Sequence, residues 1–212
     1  MRQIIYVKYN RTRSEKFQLK TAIVRENGAL SVEKTALTEA GAGHMGSFWE
    51  KYQMIREQNP RIRFLEPEFK DGGKTVCFRY LEGETLADAL ADRIHMGQIP
   101  YEELERVMAL VFPEDFSVDS GHFSIKEQTG GPFAPSQGFT EVFGPVPEGL
   151  EELGRLTAAP NVDGLFENLM ISGGHVYGID YEWVFDMEIP ARFLHYRNLL
   201  YFYRRCEASV SS

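Results

Sequence analysis

The sequence predicts an α+β fold: a five-stranded antiparallel sheet with one helix, followed by a mainly helical half that carries a short hairpin. Three observations carry this. Five runs before residue 82 are rich in Ile, Val, Tyr, Phe and Thr and are separated by short links. One stretch among them, HMGSFWEKYQMIRE (44–57), switches to helical period. Beyond residue 82 the helical period dominates, apart from two apolar runs joined by Gly173-Gly174.

Each element has its own signal. QIIYVKYN (3–10) alternates and is β-branched and aromatic, so it reads as a strand, as do FQLKTAIVREN (17–27) and ALSVEKTAL (29–37) around Gly28. In the first helix Met45, Phe48, Trp49, Tyr52 and Ile55 share a stripe, and Pro60 stops it. RFLEPEF (63–69) and KTVCFRYL (74–81) read as two strands around Asp71-Gly72-Gly73. GETLADALADRI (83–94) is a helix opened by Thr85 and Asp88, and YEELERVMALVF (101–112) is another. Pro113 to Pro147 reads as one long loop, and EGLEELGRL (148–156) as a short helix. LMIS (169–172) and HVYGI (175–179) form the hairpin, and IPARFLHYRNLLYFYRR (189–205) is the last helix. The expected division is 1–82 and 83–212, two halves of one bilobal domain.

Composition narrows the function classes. With 212 residues, 43% of them hydrophobic and 13% aromatic, the chain is long and apolar enough to bury a core. A net charge of −8 argues against a nucleic-acid footprint, which needs a basic face. Cys77 and Cys206 allow one disulfide, and two free thiols in a reducing compartment is the favoured reading. No apolar run is long enough to span a membrane. The start, MRQIIYVKYNRTRSEK, turns polar too soon for a secretory signal, so the expected location is the cytoplasm.

The chemistry concentrates in NVDGLFENLMISGGHVYGIDYE (161–182). Asp163 is followed five places later by Asn168, then by the hairpin, then by Asp180 and Glu182. Phosphoryl transfer needs this set: a carboxylate to accept a hydroxyl proton and hard oxygen ligands for magnesium. The hairpin returns Asp180 towards Asn168. Asp-x4-Asn alone recurs by chance in about one chain in three of this length. The rest of the pattern sharpens it: Lys34 sits in an apolar third strand, and Glu50 follows on the helix.

These residues together resemble the protein-kinase-like two-lobe fold, in its small-molecule and glycan kinase branch, with aminoglycoside phosphotransferases and choline kinases. The resemblance implies a nucleotide-binding first lobe and a reduced, mainly helical second lobe. It also implies ATP and Mg2+ as cofactors. Lys34 then binds the nucleotide's phosphates and Glu50 steadies it, with Glu39 or Glu57 as substitutes. Asp163 is the catalytic carboxylate, and Asn168 and Asp180 hold the metal. Backbone groups of Arg79, Tyr80 and Leu81 meet adenine. Tyr181-Glu182 stands where protein kinases have Phe-Gly, as is usual in this branch. Within it, the VKYN-type strand, the VEK lysine motif and the IDYEW segment resemble the kinase modules of bacterial polysaccharide chain-terminating methyltransferase–kinases. They also resemble kinase-like modules beside glycosyltransferases. The likeness covers 1–112 and 157–203. It implies a sugar or glycan-lipid acceptor, a glycosyltransferase or methyltransferase partner, and peripheral contact with the inner membrane through the substrate.

There are departures. Asn161 stands where the family usually has a histidine, as in this subgroup, and the phosphate-covering loop NRTRSEKF (10–17) has no glycine. Arg11, Arg13 and Lys16 are its only candidate phosphate contacts, and a plain polar turn is the alternative for them. That loop and the short stretch after Asp180 favour a second reading, a pseudokinase that binds nucleotide without turnover. A metal-dependent hydrolase built on the carboxylates comes third, because it leaves Lys34 unexplained. Blander roles compete at each position. Asp163 and Asn168 are also good turn residues. The histidines show no zinc spacing, Trp49 and Trp183 read as core, and Arg197, Arg204 and Arg205 read as helix-end charges or contacts to an anionic acceptor.

Overall fold

The computed structural model describes residues 1–98, 101–126, 133–146, 154–158 and 160–210. The fold is mixed α+β, and the chain divides into two compact units: residues 1–56 with 64–82, and residues 57–63 with 83–212. The segment 57–63, assigned to the first half on sequence, therefore belongs with the second.

In the first unit the strands are β1 (Arg2–Asn10), β2 (Leu19–Glu26) and β3 (Ala29–Ala36), followed by helices α1 (Ala42–Gly46) and α2 (Phe48–Ile55). β4 (Ile62–Phe64) comes next, its first two residues in the second unit, and β5 (Glu68–Lys70) and β6 (Thr75–Arg79) belong to the first. The five-stranded sheet is antiparallel, in the order β1-β2-β3-β6-β5. Two expectations need correction. The strand 63–69 is two strands in different sheets, β5 pairing β6 and β4 pairing a later strand. Pro67 lies between them and cannot donate to a ladder. The helix 44–57 is likewise two, broken at Ser47 just after Gly46, the poorest non-proline helix former.

Strand alternation explains the burial of neighbouring opposite charges on β3. Glu33 (4% exposed) and Lys34 (5%) point to opposite faces. Glu33 accepts from Arg2 at 2.5 Å and from Lys70 at 3.4 Å. Lys34 lies on the helix-covered face, its Nζ 5.9 Å from the centre of the Phe48 ring. Val76 and Phe78 of β6 share that face with Lys34 and Val32, and the Phe48 and Phe78 rings are 5.9 Å apart.

The second unit continues with β7 (Glu84–Thr85), α3 (Leu86–His95) and α4 (Tyr101–Val111). The Thr85 hydroxyl caps α3 by accepting from the Asp88 amide at 3.0 Å. The expected loop 113–147 is partly structured: β8 (Phe116–Asp119) and β9 (His122–Ile125) form a hairpin, and α5 (Gln137–Phe143) is a helix capped by Ser136. The helix expected at 148–156 lies largely outside the described residues. Its last residue begins β10 (Leu156–Thr157), which pairs β13 (Ile189–Pro190). Between them run β11 (Leu169–Ser172) and β12 (His175–Gly178), and α6 (Ala191–Val210) follows β13. A four-stranded sheet has the order β4-β12-β11-β7.

The core of this unit includes Val162, Ile189 and Leu194, with Trp183, Phe185 and Phe139 packed on it. Trp49, expected in the core, is 42% exposed and stands beside Tyr52. Both cysteines are free thiols. Among the described residues no helix is long and apolar enough to cross a membrane.

Candidate active site in the second unit

The loop 161–168 is built by its own backbone and side chains. The Val162 amide donates to the Trp183 carbonyl at 3.0 Å, and Phe185 donates to Pro160 at 3.3 Å, so the two segments run side by side. The Asn161 side-chain oxygen accepts from the Asp163 amide at 3.2 Å, an Asx-type turn. The Gly164 amide returns to the Asn161 carbonyl at 3.1 Å, and a Cβ at Gly164 would itself stand 3.1 Å from that oxygen. A short 3-10 turn, Phe166–Asn168, then leads into β11.

The hairpin closes the site. β11 and β12 pair from Leu169↔Gly178 to Ser172↔His175, turning through Gly173 (φ 54°) and Gly174 (φ 76°), where L residues are strained. The Ile179 amide donates to the Asn168 carbonyl at 3.0 Å, which brings Asp180 to the end of the loop. Asn168 donates its Nδ2 to the Asp163 carbonyl at 2.9 Å. Its Oδ1, on the other side of the same amide, is the donor type magnesium takes.

The electrostatics set Asp163 apart. Burial and then the charge of Asp180 push its carboxyl up to about 6, Arg197 pulls it down, and Glu182 adds to the rise. Glu182 is itself only 4% exposed. Among the described residues no group of three His, Cys, Asp or Glu side chains is placed to hold a metal. Asn168 Oδ1 and the Asp180 carboxylate, whose Oδ1 accepts from the Glu182 amide at 3.4 Å, are hard oxygens of the donor type magnesium takes.

The other expected site residues lie in the first unit. Lys34 is buried on β3. Glu50, expected beside it, is exposed: α2 turns Phe48, Lys51 and Ile55 inward. The proposed substitute Glu39 pairs with Lys74 at 2.6 Å instead. Lys51 was not foreseen; it is 8% exposed, with Nζ 5.4 Å from the Phe48 ring centre and 3.4 Å from His44 Nδ1. In the glycine-free loop, Gln18 donates to the carbonyls of Arg11 (3.2 Å) and Arg13 (3.0 Å), and Arg11 lies 5.1 Å over Tyr9. Arg79 and Tyr80 are exposed, Leu81 is buried, and the Tyr80 amide donates to Leu30 at 3.2 Å.

Two features of the second unit escaped the sequence reading. Arg197 is not a helix-end charge: it lies within α6, donates Nε to the Val162 carbonyl at 2.9 Å and Nη2 to Asp163 Oδ1 at 3.3 Å. Asp115, 0% exposed, is gripped by Arg155 through two 2.7 Å bonds and by His195 Nε2 at 2.9 Å. His195 packs against the rings of Phe112 and Phe116, at 4.5 and 4.7 Å between ring centres. These partners are 34 to 80 residues apart, beyond any local pattern.

No protein-family model matches the chain, no curated protein matches its sequence, and no solved structure matches it.

Proposed function

We propose that the chain is an ATP- and Mg2+-dependent phosphotransferase with an alcohol acceptor, a hydroxyl at a sugar or glycan terminus. The observation that carries this reading is the grouping of Asp163, Asn168 and Asp180 on one loop and hairpin, with the Asp163 carboxyl raised to about 6. A base in that range takes a proton from a hydroxyl at neutral pH and gives it up afterwards. Asp163 aims and deprotonates the acceptor. Asn168 and Asp180 hold magnesium, which when bound offsets the charge of the transferred phosphate. Lys34 is assigned the nucleotide's phosphates, and the backbone of Arg79 to Leu81 the adenine. The two units are read as the lobes of a kinase-like fold. Its resemblance directs the proposal to bacterial surface polysaccharide synthesis in the cytoplasm, beside a glycosyltransferase or methyltransferase.

A second reading, a nucleotide-binding module without turnover, is favoured by the exposed Glu50 and by the loop 10–17, whose carbonyls Gln18 already holds. Thermal shift with ATP, with and without Mg2+, tests both readings at once. The phosphotransferase reading expects a Mg2+-dependent rise in wild type that Asp163→Ala retains, together with γ-phosphoryl transfer that this variant loses. Binding without transfer selects the second reading. Turnover undiminished in Asp163→Ala removes the first.

A further inference from the structure

The geometry points to Arg197 as the positioning residue of this site, holding Asp163 Oδ1 so that Oδ2 is the atom that takes the acceptor's proton. The inference rests on the phosphotransferase reading and adds to it the group that sets the base. Asp163 offers two carboxylate oxygens. Among the described residues Oδ1 accepts from Arg197 Nη2 at 3.3 Å and Oδ2 accepts from none. The side chain keeps 17% of its surface, so it is open on one side. A carboxylate free to rotate about its terminal torsion presents either oxygen; one held by a guanidinium presents a single oxygen in a single direction.

The guanidinium is itself fixed. Its Nε donates to the Val162 carbonyl at 2.9 Å, and Tyr201, one turn further along α6, stands 4.9 Å from its centre. The next residue completes the grip. Asn198 is 4% exposed; its Oδ1 accepts from the Phe166 amide at 2.9 Å, and its Nδ2 donates to the carbonyls of Gly164 and Leu194, each at 3.2 Å. Consecutive residues of one helix thus hold the loop on both sides of Asp163. Arg197 alone reaches the carboxylate, so its role separates from that of Asn198, which bonds backbone only.

The test compares wild type with Arg197→Gln, Arg197→Lys and Arg197→Ala, using Mg·ATP hydrolysis to water as the probe reaction. Positioning predicts a fall in kcat of about 30- to 100-fold in Arg197→Gln. It also predicts a KM for Mg·ATP within about twofold of wild type, an intact nucleotide-induced thermal shift, and recovery of about tenfold in Arg197→Lys. An unchanged kcat, a matching rise in KM, or a lysine variant no better than alanine overturns it. Hydrogen exchange gives a reading that needs no turnover: faster exchange in Arg197→Gln confined to 161–168 supports the inference, and uniform or unaltered exchange defeats it. A wild type with no nucleotide-induced shift sinks the phosphotransferase reading instead, and the exchange result then decides the clamp by itself.

Discussion

Two carboxylates of the second unit, Asp115 and Asp163, are both removed from water and have opposite characters. Burial pushes Asp115 up, but the hydrogen bonds of Arg155 and His195, with the charges of both, outweigh it and hold the carboxyl at about 2. Each of its oxygens is taken, and the arrangement has no vacancy for a reactant. Asp163 has one 3.3 Å contact to a cation and two acidic neighbours, and its carboxyl is raised to about 6. The lesson is that burial alone does not mark a functional acid. A fully paired buried charge fastens elements together, whereas an under-paired one beside like charges invites a cation and a proton.

The largest expected effect breaks the Asp115 side. Asp115→Ala leaves His195 without its buried counter-charge and Arg155 with only the exposed Glu114, at 2.5 Å, and should cost about 3 to 5 kcal/mol in urea unfolding. A loss under about 1 kcal/mol would mean that the network is ornamental and the contrast unfounded. Its pH signature has a definite sign. The folded value lies below the ordinary 3.8, so the stabilisation is present above that pH and is lost as pH falls through about 2.

Asp163→Asn acts in the other direction. The folded value exceeds 3.8, so the stability contributed by its protonated form is complete below about 4 and is lost as pH rises through 6. Removing the charge should therefore stabilise the protein by about 1 to 2 kcal/mol at pH 7.5, less than the full shift implies because an amide does not reproduce every contact of the protonated carboxyl. The gain should shrink towards zero at pH 4. A variant less stable than wild type at pH 7.5, or a gain independent of pH, breaks the comparison. The smallest effect is expected at Glu50, whose exposure separates it from any buried-charge logic. Glu50→Gln should leave unfolding within about 0.5 kcal/mol and turnover within about twofold. A tenfold loss of turnover would return it to the site.

Local features were legible in the sequence. Strand-forming residues and short links placed β1, β2, β3 and β6, Gly173-Gly174 placed the hairpin, and Thr85 with Asp88 placed the start of α3. Asp-x4-Asn brought Asp163 and Asn168 onto one loop, which the Asn168-to-Asp163 bond closes. The hairpin 116–125 had a readable signal, alternation around Ser120-Gly121, both at positive φ, that was lost in a stretch rich in Gly and Pro. Other features had none. Glu50 and Lys51 are neighbours, and which of them turns inward depends on where α2 restarts after Gly46. Arg197 and the Asp115 network are long-range, and nothing in the residues around them names their partners.

The most direct measurement is a carboxyl-carbon NMR titration of both aspartates in one sample, without and with Mg2+. The account predicts Asp163 near 6 and Asp115 near 2, with added Mg2+ lowering the first and leaving the second in place. Asp163 titrating at or below 4, or failing to respond to Mg2+, would contradict it.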